Sequence, residues 1–186
     1  MLIKGITDED FINYKLPSMY IATATCSFKC DKEYGKPICQ NSELAKQPDI
    51  EISTYNIVER YLSNPITHAI VLGGLEPFDQ FEDIIELIFH LRLEIKFSAP
   101  NSEYDEIVDR NHPKANDPVI IYTGYTKEEV IKLVENYDQT GTFDDWFGGQ
   151  NIIIKYGRYI PGQQPHYDPV LGVYLASDNQ YAERIS

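Results

Sequence analysis

Long hydrophobic runs and a secretory signal are missing from this sequence. No stretch approaches the roughly 18 to 20 consecutive apolar residues that a membrane-spanning helix needs. The first residues have neither the basic start nor the apolar run of a signal peptide. These absences argue against the membrane and secreted classes of protein, and we expect a cytoplasmic protein.

Basic residues are also scarce. Sixteen Lys and Arg stand against 29 Asp and Glu, which gives a formal net charge of −13. Because such a surface repels phosphate backbones and anionic lipid, we expect no direct nucleic-acid or membrane partner. Residues 26–39 are a local exception, since Lys29, Lys32 and Lys36 outnumber the acidic residues there. This excess is a candidate docking site for an acidic electron donor, although a solvated loop is the simpler interpretation.

Cysteine is rare and confined to one segment of the chain. The three cysteines are Cys26, Cys30 and Cys39. A clustered, odd-numbered set in a cytosolic protein indicates metal ligation before disulfides. Three thiolates can hold three irons of a [4Fe–4S] cluster and leave the fourth iron open to a substrate. The cysteines alone are equally compatible with a zinc site that has a histidine ligand, or with reduced structural thiols.

Apolar runs and helical periodicities alternate along the chain. A length of 186 residues with 42% hydrophobic residues suffices for one well-buried core, so we expect a single domain over residues 1–186. The pattern predicts strands at 18–25, 69–72, 119–122, 151–155 and 172–175, helices at 52–62, 81–93 and 127–136, and a polar surface excursion at 98–117. Serial strand–loop–helix units predict an α/β fold with a mainly parallel sheet and sites at the carboxyl ends of its strands.

A glycine-rich turn with a carboxylate follows the second predicted strand. Its sequence is Gly73-Gly74-Leu75-Glu76-Pro77. Glycines let a ligand approach the backbone closely, and a carboxylate accepts hydrogen bonds from an ammonium group. Taken alone, the segment is compatible with an ordinary strand-to-helix turn. In combination with cysteines that follow the first predicted strand, it indicates a binding site.

The order of these motifs resembles the radical S-adenosylmethionine superfamily, and within it the activating proteins of anaerobic ribonucleotide reductase. The similarity runs over about residues 19–185. The segments that carry it are Cys26-Ser27-Phe28-Lys29-Cys30, Gly73 to Pro77, Ile121-Tyr122-Thr123-Gly124-Tyr125-Thr126, Tyr156-Gly157-Arg158-Tyr159 and Ala176-Ser177-Asp178-Asn179-Gln180. The third looks like the Tyr-Thr-Gly-Tyr segment of the activases, and the last two are similar to their Asp-Gly-Arg and Ser-Ser-Asn-Gln elements.

The resemblance implies a partial (β/α) barrel of the radical S-adenosylmethionine type, with a [4Fe–4S] cluster as cofactor. The catalytic cluster ligands would be Cys26, Cys30 and Cys39. The contacts to S-adenosylmethionine would be Ile38, Gly73, Gly74, Glu76 and Thr123. The two glycines and the glutamate would contact its methionine part, and the isoleucine would lie beside its adenine.

The activity that the resemblance implies is reductive cleavage of S-adenosylmethionine to a 5′-deoxyadenosyl radical. In the activases this radical takes hydrogen from a backbone glycine of a large partner, a glycyl-radical enzyme, and a flavodoxin or ferredoxin-type protein donates the electron. Two alternatives stay open. One is a radical enzyme that acts on a free metabolite, like the 7-carboxy-7-deazaguanine synthases, and the other is a non-catalytic binding module, zinc-stapled or metal-free.

Two features depart from the activase pattern. The cysteine spacing is C-x3-C-x8-C here, whereas the family has C-x3-C-x2-C. Gly35 and Pro37 predict a turn that brings Cys39 back, and closing a loop that is a few residues longer costs only about 1 kcal/mol. In addition, Tyr156 stands where the activases have Asp before Gly-Arg.

Overall fold

The centre of the fold is a sheet whose middle strands are apolar runs. The structure is a computed structural model that describes residues 1–97, 113–137 and 142–185. The middle strands are β2 Ser18–Thr23, β4 Ile70–Gly74, β5 Val119–Tyr122 and β6 Ile152–Tyr156. They run parallel to one another, and most of their side chains are buried on both faces. Near-continuous apolar sequence is the expected pattern for parallel strands that are covered on both sides.

Antiparallel strands flank this parallel centre. They are β1 Leu2–Asp10, β3 Ile50–Glu51 and β9 Tyr181–Arg184. In the described ranges the strand order is β3-β1-β2-β4-β5-β6-β9. The prediction of an α/β fold with a mainly parallel central sheet is therefore confirmed. The strands β1 and β9 were not predicted, because their sequences are largely polar and lack a clear apolar alternation.

The helices that the periodicity predicts at 52–62, 81–93 and 127–136 are present, and shorter helices that were not predicted accompany them in the described ranges. The helices are α1 Lys29–Tyr34, α2 Ser42–Ala45, α3 Thr54–Ser63, α4 Phe81–Phe97, α5 Lys127–Tyr137 and α6 Phe143–Phe147. A capping box begins α5, since the Glu129 amide donates to the Thr126 hydroxyl at 3.3 Å and the Thr126 amide donates to the Glu129 carboxylate at 2.9 Å. These reciprocal bonds fix where the chain turns from β5 into α5.

The two faces of the sheet are covered differently. On one face, α3, α4 and α5 pack over alternate residues of the middle strands in the larger hydrophobic cluster. On the other face, a smaller cluster joins the sheet to a hairpin of β7 His166–Asp168 and β8 Val173–Leu175. Tyr14, in the loop after β1, and Leu171 belong to this second cluster. The loop and the hairpin therefore cover this second face.

The surface excursion predicted at 98–117 lies largely outside the described residues. At its described end, Lys114 and Asp117 are buried. The Lys114 ammonium donates to the Thr67 carbonyl, and the Tyr61 hydroxyl donates to the Asp117 carboxylate at 2.5 Å. None of the helices in the described ranges combines the length and the apolar character required to cross a membrane.

Candidate functional site

The carboxyl ends of the four parallel strands surround one cavity of about 340 Å³. This is where parallel sheets usually place their sites, because the loops that leave neighbouring strands converge there. The residues of the sequence-predicted site that line it are Cys26, Cys30, Ile38, Cys39, Gly74, Glu76 and Thr123. Residues that follow three different strands thus meet at one cavity.

The first two cysteines occupy the loop that leaves β2. Cys26 comes three residues after the end of the strand, and Cys30 lies in the first turn of α1. All three thiols are free and partly buried. Phe28, between the first two cysteines, has a left-handed backbone with φ of 52°, which is uncommon for a residue other than glycine. This strained turn separates Cys26 from the start of α1.

Asp31 folds the eight residues between the second and third cysteines back on themselves. Its Oδ1 atom accepts hydrogen bonds from the backbone amides of Ile38 at 2.8 Å and Cys39 at 2.9 Å. Gly35 ends α1 in the left-handed conformation, with φ of 73°, and glycine adopts it at little cost. As a result, the long C-x8-C segment brings the backbone of Cys39 into contact with Asp31, the residue that directly follows Cys30.

Burial and neighbouring charges raise the pKa of the Cys26 and Cys30 thiols. Burial is the main cause that raises the pKa of Cys26 to about 11, and the charges of Glu76 and Asp79 act in the same direction. The pKa of Cys30 rises to about 12, chiefly through burial and then through its interaction with Cys39. Metal binding requires thiolates, so a metal cluster bound in this cavity would displace the protons of these thiols.

Glu76 is a buried carboxylate at the centre of the cavity. Its side chain accepts hydrogen bonds from the Thr123 hydroxyl at 2.6 Å, the Gly124 amide at 2.9 Å and the Phe78 amide at 3.1 Å. Burial nevertheless raises the pKa of Glu76 to about 7, and these hydrogen bonds oppose that rise. The turns after β4 and β5 thus hold the carboxylate rigidly. A cation bound beside it would favour its ionised form.

Lys155 is a buried cation that sequence reasoning missed. It lies in β6, lines the same cavity as Glu76 and is only 6% exposed. Its ammonium donates to the Gly157 carbonyl at 2.8 Å, and burial lowers its pKa to about 8 while the charge of Glu76 raises it. The signal was a single lysine within the apolar run Ile-Ile-Ile-Lys-Tyr, because a charged residue in a buried strand generally has a specific partner or role.

The two glycines of the turn after β4 have different positions. Gly74 lines the cavity with φ of +84°, and a Cβ atom there would come within 2.9 Å of Ala22. Gly73 is not among the described lining residues, and a Cβ atom on it would come within 3.1 Å of the Tyr20 ring. Position 74 therefore needs glycine for its backbone and its close contact, whereas a side chain at position 73 requires only a small shift of the Tyr20 ring.

The two C-terminal elements bind each other beside the cavity. The side-chain amide of Gln180 donates to the Gly157 carbonyl at 3.1 Å, and the side-chain amide of Asn179 donates to the Arg158 carbonyl at 3.0 Å. Arg158 in turn forms two hydrogen bonds of 2.8 Å with Glu129. The Tyr156 hydroxyl is buried and has no hydrogen-bond partner among the described residues. The Gly-Arg and Asn-Gln segments therefore form one structural unit.

The cysteine segment is also tied to α5 by charge. Lys29 lies 3.7 Å from Glu129 and 3.9 Å from the centroid of the Tyr125 ring. Lys32 and Lys36 are exposed. Of the three lysines considered for docking an electron donor, Lys29 is thus tied to α5 and to the turn after β5.

The cavity is lined by three cysteines, the number of ligands that the resemblance implies for a [4Fe–4S] cluster. No group of three or more His, Cys, Asp or Glu side chains in residues 1–97, 113–137 and 142–185 is arranged to hold one metal ion. A [4Fe–4S] cluster places a different demand on the protein, since each thiolate binds a different iron. Three free thiols that line one cavity are compatible with that demand.

Comparison with known proteins leaves the resemblance as a prediction. No protein-family model matches this chain, and a search of curated proteins found no match.

Proposed function

We propose that this protein cleaves S-adenosylmethionine reductively at a [4Fe–4S] cluster and passes the resulting radical to a glycine of a partner enzyme. The observation that carries the proposal is the convergence of three thiols, a buried carboxylate and a buried ammonium on one cavity. On this view Cys26, Cys30 and Cys39 would hold the cluster. The parallel sheet of this protein would correspond to the partial barrel of the radical S-adenosylmethionine enzymes.

Glu76 and Lys155 suit the two charges of an α-amino acid. The carboxylate of Glu76 would accept hydrogen bonds from the ammonium group of S-adenosylmethionine, and the ammonium of Lys155 would bind its carboxylate. Buried charges are stabilised when an opposite charge is within contact distance, so both residues gain a partner from one zwitterionic ligand. Ile38 would pack against the adenine, as the resemblance implies.

The chemistry requires one external electron for each cleavage. When bound, the cluster would supply that electron to the sulfonium, so that the carbon–sulfur bond breaks and gives methionine and a 5′-deoxyadenosyl radical. Hydrogen transfer from a glycine Cα would yield 5′-deoxyadenosine and a glycyl radical on the partner. An oxidoreductase of this kind needs an anaerobic setting and a flavodoxin or ferredoxin-type donor.

The decisive experiment measures 5′-deoxyadenosine. The protein is reconstituted with iron and sulfide without oxygen, reduced with dithionite, and incubated with S-adenosylmethionine beside a Cys39→Ala variant. We expect product from the wild-type protein and none from the variant. The Cys39→Ala variant also tests whether the unusual third cysteine takes part.

Other outcomes distinguish the alternatives. If the reconstituted protein binds neither iron nor S-adenosylmethionine, the proposed function is wrong and a binding module replaces it. Product that forms only together with turnover of a free small molecule would favour the metabolite enzyme over the activase. Zinc in anaerobically purified protein, without activity after reconstitution, would indicate the zinc-stapled module.

A further inference from the structure

Asp79 contacts two other motif segments from the end of the glycine-rich turn. It lies in the 3-10 turn Pro77–Gln80 that follows Glu76. Its Oδ2 atom accepts a hydrogen bond of 2.5 Å from the Ser27 amide in the cysteine segment. Its Oδ1 atom accepts a hydrogen bond from the Tyr125 hydroxyl after β5. One side chain therefore joins the loops that leave β2, β4 and β5.

The neighbouring contacts fix the same stretch of backbone. Gln80 accepts hydrogen bonds from the amides of Ala24 at 3.0 Å and Thr25 at 3.3 Å. The Thr25 carbonyl in turn accepts a hydrogen bond of 2.8 Å from the Glu76 amide. The backbone that leads into Cys26 is thus held from both ends of the turn that follows β4.

The held backbone includes a strained residue. Phe28 adopts φ of 52°, and its amide donates to the Cys26 sulfur at 3.2 Å. Strained backbone persists only where the surroundings determine it. The bond from Ser27 to Asp79 lies directly before the strained residue, so Asp79 fixes the adjoining backbone from outside the segment.

We infer that Asp79 is a positioning residue, which holds the Cys26–Cys30 turn in the conformation that directs Cys26 into the cavity. The reason for directing Cys26 into the cavity rests on the proposed function. The hold of Asp79 on the turn does not depend on a bound cluster. Asp79 acts through two hydrogen bonds rather than through its charge. An asparagine at this position keeps both bonds, since its oxygen accepts from the Ser27 amide and its nitrogen donates to the Tyr125 hydroxyl oxygen.

Hydrogen–deuterium exchange of the metal-free protein tests this role directly. We expect Asp79→Ala to speed amide exchange in residues 24–30 about tenfold, because the net contribution of such hydrogen bonds opposes local opening. Asp79→Asn should restore slow exchange. Glu82→Ala removes an exposed carboxylate from the first turn of α4 and serves as the matched control, with wild-type exchange.

Iron binding provides the second readout. After anaerobic reconstitution, Asp79→Ala should bind less iron per chain than wild type, Asp79→Asn and Glu82→Ala. Equal exchange rates in residues 24–30 for Asp79→Ala and Glu82→Ala would overturn the inference. Faster exchange in both Asp79 variants would also overturn it, because the charge would then be the cause. If no variant binds iron, the proposed function fails while the exchange rates still decide the role of Asp79.

Discussion

The Thr123 hydroxyl donates a 2.6 Å hydrogen bond to Glu76 and so joins the turn after β5 to the turn after β4. Both side chains are almost completely buried. The bond opposes the rise in the pKa of Glu76 that burial causes. The hydroxyl therefore helps keep the carboxylate ionised and aimed at the cavity.

Removing this hydroxyl should weaken ligand binding. Thr123→Val keeps the shape of the side chain but leaves Glu76 without its shortest hydrogen bond, so the pKa of Glu76 should rise further. We expect the affinity of the reconstituted protein for S-adenosylmethionine to fall about tenfold, the effect of losing one hydrogen bond to a charged group. Equilibrium dialysis at neutral pH measures it. Thr123→Ser retains the hydroxyl and should bind as wild type does, whereas unchanged binding by the valine variant would contradict the role of Glu76.

Lys155 should decide whether the ligand needs a carboxylate. Wild-type protein is expected to bind S-adenosylmethionine more tightly than its decarboxylated analogue. Lys155→Gln removes the buried charge and should reduce the affinity for S-adenosylmethionine by at least about tenfold, with little effect on the analogue. Lys132→Gln, on the exposed side of α5, is the matched control. If Lys155→Gln weakens both ligands equally, Lys155 stabilises the cavity rather than recognising the carboxylate.

The middle of the sheet could be predicted because its strands are determined by their own composition. Ile70 to Leu72 and Val119 to Tyr122 are apolar runs bounded by turn residues, and such runs are buried wherever a parallel sheet forms. Strand β1 is different. Its sequence, Leu-Ile-Lys-Gly-Ile-Thr-Asp-Glu-Asp, becomes a strand by pairing with β2, and that partner cannot be read from local sequence.

The candidate site shows the same division between local and long-range information. The cysteines and Glu76 were found because rare residues and glycines mark them in the sequence. The apolar pattern predicts a core strand that includes Lys155 and gives no sign of its role in the cavity. The contacts of Asp31 and Asp79 depend on how the loops fold together. Such contacts join residues that belong to no common motif, so spacing carries no sign of them.

Asp31 should control whether the third cysteine reaches the cluster. Asp31→Ala removes the acceptor of the Ile38 and Cys39 amides. The exposed segment between Cys30 and Cys39 then loses the two hydrogen bonds that close it. We expect this variant to bind less iron per chain after reconstitution, approaching the Cys39→Ala variant. Asp31→Asn keeps an Oδ1 acceptor and should retain most of the iron. Full iron binding by Asp31→Ala would show that the segment closes without this side chain.

Glu76 should give the metal-free protein a distinct dependence of stability on pH. Its pKa is about 7 in the folded protein and 4.5 ordinarily, so between these values the folded state binds more protons than the unfolded state. The stabilisation of the folded state by protonated Glu76 is present below about pH 4.5 and is lost as pH rises through about 7. This loss lowers the free energy of unfolding by on the order of 2 to 3 kcal/mol.

Urea unfolding of wild type and Glu76→Gln at several pH values from 4.5 to 7.5 isolates this effect. Carboxylates with lowered pKa values, such as Glu129 with a pKa of about 2, contribute equally to both proteins and cancel in the difference. Lys155 has the opposite sign, because its lowered pKa stabilises the wild-type protein only as pH rises above about 8. In Glu76→Gln, which lacks the charge that raises this pKa, the same gain in stability begins at lower pH and acts in the direction of the predicted difference. Wild type should therefore lose stability relative to Glu76→Gln as the pH rises. A constant difference between the two proteins would mean that Glu76 has the same pKa in the folded and unfolded states.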